Sequence, residues 1–548
     1  MLARAGALAS ALLLAACATG APQQQTGYGD FLIARVANMR ADHSAAADRY
    51  FAALARAPHD DALITGALAS TLASGDLHRA RQAARLAPRE GGPGYAYLVR
   101  AADALTMQRW RTAAAELNRV EGPASEELLS RLLVVWARAA QGDVDQVMVD
   151  LAPLAAIRPY GGLFAYQQAM ALDYAGRNEE ALAAYALAAQ GGIWLPAAIE
   201  RHADLLVRTG DRDTAIAVLE QPANQPNPAL VAALARVRAG GAAAAERLTP
   251  ARGAAVGMYG LSAIFLQEGD SANGLAALSL ALMLDPNYDG ARLAFAQQQA
   301  SLGHTDIARE ILAEVSPDSP YSGSARIMEA WALLDAGRED EALALARANA
   351  AGGDLRALRT LADMHRSRAD YAEAEAIYTQ LIGERSDDWR LYFARGAARE
   401  RLGRWPEAEA DLRHALELSP DQPDVLNYLG YTWIDRGERL TEGLAMIERA
   451  VELRPMSGAV IDSLGWAHYR LGDYARALDL LERAVELEPA DATLNDHLGD
   501  VYWRLNRRIE ARFQWRRALS LSPDNAAAIE AKIENGLPPI APTQSATR

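Results

Sequence analysis

The chain has 548 residues, is 51% hydrophobic but only 7% aromatic, and carries 55 Lys and Arg against 70 Asp and Glu, a net charge of −15. That acidic balance excludes a general nucleic-acid binder, which needs a basic footprint. A lone cysteine, Cys17, excludes an internal disulfide and a thiolate metal cluster. What remains is an Ala-rich, helix-favouring chain whose core is built from small side chains.

Met1 to Arg4 is a short basic start, and Ala5 to Ala16 is an apolar run of 12 residues. Such a run is too short to span a bilayer and matches the apolar centre of a signal peptide. It closes in Leu14-Ala15-Ala16-Cys17, the pattern of a bacterial lipobox. Residues 1–16 therefore read as a lipoprotein signal peptide and Cys17 as the lipid-attachment residue. Ala18 follows the cysteine rather than the Asp that favours inner-membrane retention, so the expected location is the periplasmic face of the outer membrane. Residues 17–27 are polar and without helical period, a flexible tether reaching roughly 30 Å at about 3.3 Å per residue.

Helical patterning begins near Tyr28. From there a turn residue recurs at Gly142, Gly176, Gly210, Gly240, Gly269, Gly303, Gly337, Gly403, Gly437 and Gly472, mostly 34 residues apart. Gly is favoured at a helix end because it accepts positive φ. A small residue follows five positions later in most cases (Ala181, Ala215, Gly274, Ala308, Ala342), where two helices would cross closely. Asp42, Gly75, Gln108, Ala369 and Asn506 extend the ladder. The first array is expected over 28–221. Three prolines between Gln221 and Pro228, then short Ala-rich spacing, mark 222–257 as an irregular bend. A second array with a capping helix spans 258–535, and 536–548 reads as a disordered tail.

The clearest spelling lies between Asp424 and Pro523. Leu429-Gly430, Leu464-Gly465 and Leu498-Gly499 repeat, small residues follow at Gly443, Ala477 and Ala511, and Pro455, Pro489 and Pro523 close each segment at 34-residue spacing. This is the tetratricopeptide signature of a helix–turn–helix repeat. The fold class is accordingly all-α, a right-handed solenoid of about 15 helix pairs.

No catalytic constellation can be assembled, so the chain is not expected to be an enzyme. The nine histidines are scattered, no HExxH or Walker A motif occurs, and the only lysine is Lys532. No metal site or cofactor is expected. A solenoid instead offers a wall made by the first helix of every repeat. There the candidate partner-binding residues are Asn427, Tyr431, Asp462, Trp466, Tyr469, Arg470, Asp496, Asp500, Trp503 and Arg504, an aromatic surface with interleaved Asp and Arg. Aromatics and Arg are enriched at binding hot spots, and neither these tryptophans nor these Asn and Asp positions look demanded by stacking. Asp462 and Asp496, where peptide-carboxylate clamps carry Asn or Lys, disfavour a carboxylate ligand.

The segments Leu426-Asn-Tyr-Leu-Gly-Tyr431, Asp462-Ser-Leu-Gly-Trp466, Asn495-Asp-His-Leu-Gly-Asp-Val-Tyr-Trp503 and Ala511-Arg-Phe-Gln-Trp515 resemble a family of proteobacterial tetratricopeptide lipoproteins. One type in that family is the outer-membrane adaptor of a periplasmic carboxyl-terminal processing protease. The resemblance covers roughly 420–523 and implies a non-enzymatic, lipid-anchored scaffold binding envelope proteins, with delivery of substrates to such a protease as the finer expectation. An accessory role in outer-membrane protein assembly, secretion or polysaccharide export is the alternative.

Overall fold

The structure is a computed structural model that describes residues 27–538 except 158, 221–226, 245 and 524. The residues read as signal peptide and tether up to residue 26, Cys17 among them, residues 222–226 of the expected bend and the tail from 539 lie outside the described residues. Gly27 already belongs to the first helix, Gly27–Met39.

The described residues form 30 α-helices and no strand, paired as helix–turn–helix repeats. The turn ladder stands as expected from the sequence. All ten glycines, Gly75, and the non-glycine positions Gln108, Ala369 and Asn506 have positive φ. At the start of the ladder the left-handed residue is Ala41 rather than Asp42. Asp42 instead caps the next helix, its carboxylate accepting from the Ala45 N–H at 3.0 Å, the favoured use of Asp at that position. Two residues after Gly437 a second left-handed residue, Arg439, lies in the same turn.

A second device at the turns is spelled Gly-Arg-x-x-Glu. Arg177, Arg338 and Arg404 each open an outer helix and bond the Glu three residues on (Glu180, Glu341, Glu407). Each also reaches an acid of the preceding repeat, Asp145, Asp306 and Glu375, at 2.6–2.7 Å. The hydrogen bonds from Arg177 and Arg338 hold Glu180 and Glu341 below the usual carboxylate range.

The described residues form two compact bodies, divided between Leu345 and Ala346. In the first, the inner helices Asp61–Ser74, Gly94–Thr106, Ala124–Ala139 and Gly161–Tyr174 pack around a hairpin from further along the chain, Pro250–Gln267 with Ser271–Leu284. This changes the reading of 222–257. Residues 228–238 are helical, and 250–257 open the 18-residue helix Pro250–Gln267 instead of ending a bend. Thr249 caps that helix and Pro250 sits at its first position, where a missing N–H costs nothing. Gly253, Gly257 and Gly260 line one face: a Cβ at Gly253 would overlap the Trp136 indole, one at Gly257 would lie 3.1 Å from the Gln167 amide, and one at Gly260 would meet Leu163. These glycines are there for close approach, not for breaking. The partner helix is buried without interruption from Gly274 to Leu284. Its one polar residue in that run, Ser279, donates to the Leu72 carbonyl at 2.5 Å.

In the second body the small-residue crossings expected from the sequence are tight. A Cβ on Gly430 would lie 2.6 Å from the Gly443 carbonyl oxygen, and one on Gly443 would lie 2.8 Å from that of Gly430. Trp433 and Trp515 fill the core between pairs, 1% and 0% exposed.

Replacing Gly253 with Val should destabilise the first body by about 1–3 kcal/mol through overpacking, read as a lower midpoint in urea denaturation followed by circular dichroism. An unchanged midpoint would mean that the hairpin is not clamped against Trp136.

Candidate functional site

The inner wall of the second body is built by Trp389–Arg401, Pro423–Arg436, Gly458–Arg470 and Ala492–Arg504. Equivalent positions on successive inner helices lie one repeat apart, so a side chain meets its counterpart about 35 residues away. Phe393 meets Tyr428 edge-on at 5.7 Å in this way.

Asn427 and Tyr431 share one helix face, a turn apart. The Asn427 Oδ1 is buried and has no hydrogen-bond partner. Burial, with the charges of Asp435 and Asp462, pushes the Tyr431 hydroxyl up to about 12. On the next inner helix Trp466 is sandwiched, its ring 4.6 Å from Tyr469 and 4.0 Å from the His497 imidazole, both stacked. Arg470 bonds the Asp435 carboxylate and, at 2.9 Å, its carbonyl.

The aspartates correct the expectation that this face is free of structural duty. Asp462 is 5% exposed, and both its oxygens lie 3.0 Å from His497 Nδ1. Asp496 and Asp500, 5% and 4% exposed, share the ammonium of Lys532 at 2.8–2.9 Å. Asp500 also accepts from the Trp515 indole at 2.9 Å. A buried carboxylate needs such partners; His497 and Lys532 come from the next unit of the stack, and Trp515 from the outer helix of the same pair as Asp500. Burial raises Asp500 even against Lys532. At His497 burial opposes the charge, yet Asp462 with Asp500 and Asp496 outweighs it, and the imidazole is raised overall.

Trp503 and Arg504 are likewise engaged by the chain itself. The Trp503 indole donates to the Leu537 carbonyl at 3.3 Å, Gly536 lies against its ring, and the Arg508 guanidinium sits 3.8 Å from its centroid. Arg504 donates to the Pro538 carbonyl at 2.6 Å and to the Tyr469 hydroxyl at 3.1 Å. The ten wall residues therefore divide. Asn427, Tyr431, Trp466, Tyr469 and Arg470 form a stretch that the described residues 526–538 do not cover, Asp462 is paired to His497, and Asp496, Asp500, Trp503 and Arg504 are closed by residues 526–538. Lys532 was the missed partner, and its spacing of 36 residues from Asp496 was the available signal.

Among the described residues no group of three His, Cys, Asp or Glu could hold a metal ion, and no helix is long and apolar enough to cross a membrane. A cavity of about 480 Å³ in the first body is lined in part by Arg201, Arg236, Arg252 and Arg292. Each of these is ion-paired, to Asp173, Glu200, Asp285 and Glu314 respectively.

Residues 359–423, 398–457 and 460–491 match tetratricopeptide-repeat family models. Over this stretch the chain carries tetratricopeptide repeats, and the helix pairs described above share that repeat's helix–turn–helix fold. Among curated proteins it is similar to the TPR repeat-containing protein PA4667 of Pseudomonas aeruginosa, 30% identical over 177 residues; the match spans 31% of this chain and 30% of that protein. Among solved structures it is similar to a tetratricopeptide repeat protein from Parabacteroides merdae (17% identity, 45% of this chain and 98% of that one, TM-score 0.39). It is also similar to a chain in the APC/C hetero-tetramer Cut9-Hcn1 (14% identity, 92% and 96%, TM-score 0.41).

Lys532→Ala would leave two buried carboxylates sharing one site, and should cost about 3 kcal/mol in urea denaturation; adding Asp496→Asn should recover part of it. The Asp462–His497 pair has its own pH signature. Because the folded imidazole is raised above its unfolded value near ~6.5, its stabilisation is complete below that pH and is lost as pH rises through the folded value. Thermal melts followed by tryptophan fluorescence should therefore fall in midpoint across that rise, and His497→Gln should flatten the dependence.

Proposed function

We propose that this chain is a lipid-anchored scaffold of the bacterial envelope that binds protein partners along the open stretch of its inner wall, from Phe393 to Tyr469. The observation that carries the binding surface is the orphaned Asn427 Oδ1. A buried acceptor without a donor costs about 1–3 kcal/mol, a cost relieved when a partner N–H arrives. Beside it stand Tyr431 and the stacked Trp466, residue types that give large contact area at little entropic cost. The equivalent wall of the first body is filled by the 250–284 hairpin, which directs binding to the second.

Cys17 supplies the anchor in this reading, holding the array at the periplasmic face of the outer membrane. Its support is the basic start, the short apolar run and the only thiol placed directly after Leu14-Ala15-Ala16. Within that setting the finer role is that of an adaptor delivering substrates to a carboxyl-terminal processing protease. The support is the resemblance carried by residues 426–431, 462–466 and 495–503.

Affinity capture on the full chain from envelope extracts, read by mass spectrometry, tests the role. A periplasmic processing protease should be recovered, and Trp466→Ala should lower its recovery at least tenfold while helical circular dichroism stays unchanged. Recovery of barrel-assembly or secretion components in its place would overturn the adaptor role. Cys17→Ser should move the protein from the membrane fraction to the soluble fraction; unchanged membrane retention would refute the anchor.

A further inference from the structure

The helix Gly27–Met39 has two unlike faces. On one, Ala34 is fully buried and Phe31 meets Tyr50 edge-on at 6.3 Å, so this side packs on the next helix, His43–Leu54. The helix's only acid, Asp30, lies on the same side, 1% exposed and held by Arg56 at 2.6 Å and Arg49 at 3.4 Å. On the other side Tyr28, Leu32, Ile33, Val36 and Met39 are 43–84% exposed. At about 100° per residue they share one arc of about 140°, with Arg35 at its edge and Arg40 just past the helix end.

Stacking does not account for this face. A repeat array ordinarily ends in a polar surface, because its terminal helix has no further neighbour, and no helix precedes Gly27–Met39 among the described residues. The last pair of the second body is covered instead, by Ile529, Lys532 and Leu537. Large apolar side chains with arginines beside them and no exposed acid suit a bilayer surface: the apolar groups enter the acyl boundary and the arginines meet headgroup phosphates. Thirteen residues are too few to cross a bilayer, so the helix lies in the plane of such a surface. Cys17 stands ten residues before Gly27 in the sequence, and ten residues reach at most roughly 35 Å, which keeps this helix within range of a bilayer that holds Cys17.

We propose that the apolar face of Gly27–Met39 is a membrane-docking surface, with Tyr28, Leu32, Val36 and Met39 entering a phospholipid interface and Arg35 and Arg40 binding its headgroup phosphates. This rests on the reading of Cys17 as the lipid-attachment residue, to which it adds a second, reversible contact too weak to retain the chain by itself. A lipid on Cys17 sets only the distance of the first body from the bilayer. The docked helix also sets how that body is turned toward it.

Photo-crosslinking to lipid tests the face directly. The chain from Cys17 onward keeps every described residue, and its only thiol can be coupled to maleimide-bearing phosphatidylethanolamine in vesicles of phosphatidylethanolamine and phosphatidylglycerol. With benzoylphenylalanine in place of Leu32, irradiation should give phospholipid adducts, read by mass spectrometry. Their yield should be at least fivefold above that from the same probe in place of Phe513, which is 66% exposed in the second body. Val36→Asp with Met39→Asp should lower the adducts at position 32 at least fivefold while the circular dichroism melt is unchanged, and Arg35→Glu with Arg40→Glu should lower them at least twofold. Equal yields at the two probe positions, or yields that neither double substitution moves, would overturn the proposal. Adducts joining two copies of the chain in place of lipid would also overturn it and assign the face to a second copy. Because the coupling is chemical, the result does not depend on acylation in the cell. Missing lipid adducts would sink the docking face alone, and unchanged membrane retention of Cys17→Ser would sink the anchor alone.

Discussion

A helix pair with an apolar inner and an apolar outer face cannot bury both by itself, and every part of this protein answers to that constraint. Repeats of this kind gain their stability from neighbours. In the first body the inner faces of the pairs between Asp61 and Tyr174 are covered by the hairpin 250–284, whose second helix is buried from Gly274 to Leu284. In the second, the last pair is covered by the chain's own 526–538, through Ile529, Lys532 and Leu537. Between Phe393 and Tyr469 the wall keeps aromatic rings and an unpaired amide oxygen. The binding surface we propose is the part of this wall that the described residues leave uncovered.

Charge follows the same logic at shorter range. The acidic residues that face inward at one repeat are neutralised by a base from the next: Asp462 by His497, Asp496 and Asp500 by Lys532, Asp435 by Arg470. On the outer turns Arg177, Arg338 and Arg404 do the same for acids of the preceding repeat. The interleaving of Asp and Arg along the wall is thus largely the register of stacking. What remains of the proposed surface is mostly aromatic and uncharged.

The repeat period, the left-handed turns and the small-residue crossings were legible in the sequence because they are local. A positive φ at Gly176 or Gly472 and the contact of Gly430 with Gly443 depend on residues within one helix pair. The reading of 222–257 as a bend failed for the opposite reason: prolines and short spacing are local, whereas the distant Trp136 and Gln167 explain why a helix with no Cβ at Gly253 and Gly257 is required. The run Gly274 to Leu284, apolar on every face, was the signal of a buried helix, although its wrapping partners are more than a hundred residues away.

By itself, then, the sequence determined the all-helical tetratricopeptide architecture and the ten wall positions, since both follow from the 34-residue period that the successive segments between Asp424 and Pro523 display. Which of those positions are open was decided only in the tertiary structure. Asp496, Asp500, Trp503 and Arg504 carry the same positional pattern as Asp462, Trp466, Tyr469 and Arg470, yet they are spent on Lys532, Leu537 and Pro538. Period places a side chain on a face; only the packing of residues outside the period determines whether that face meets a partner or the chain's own end.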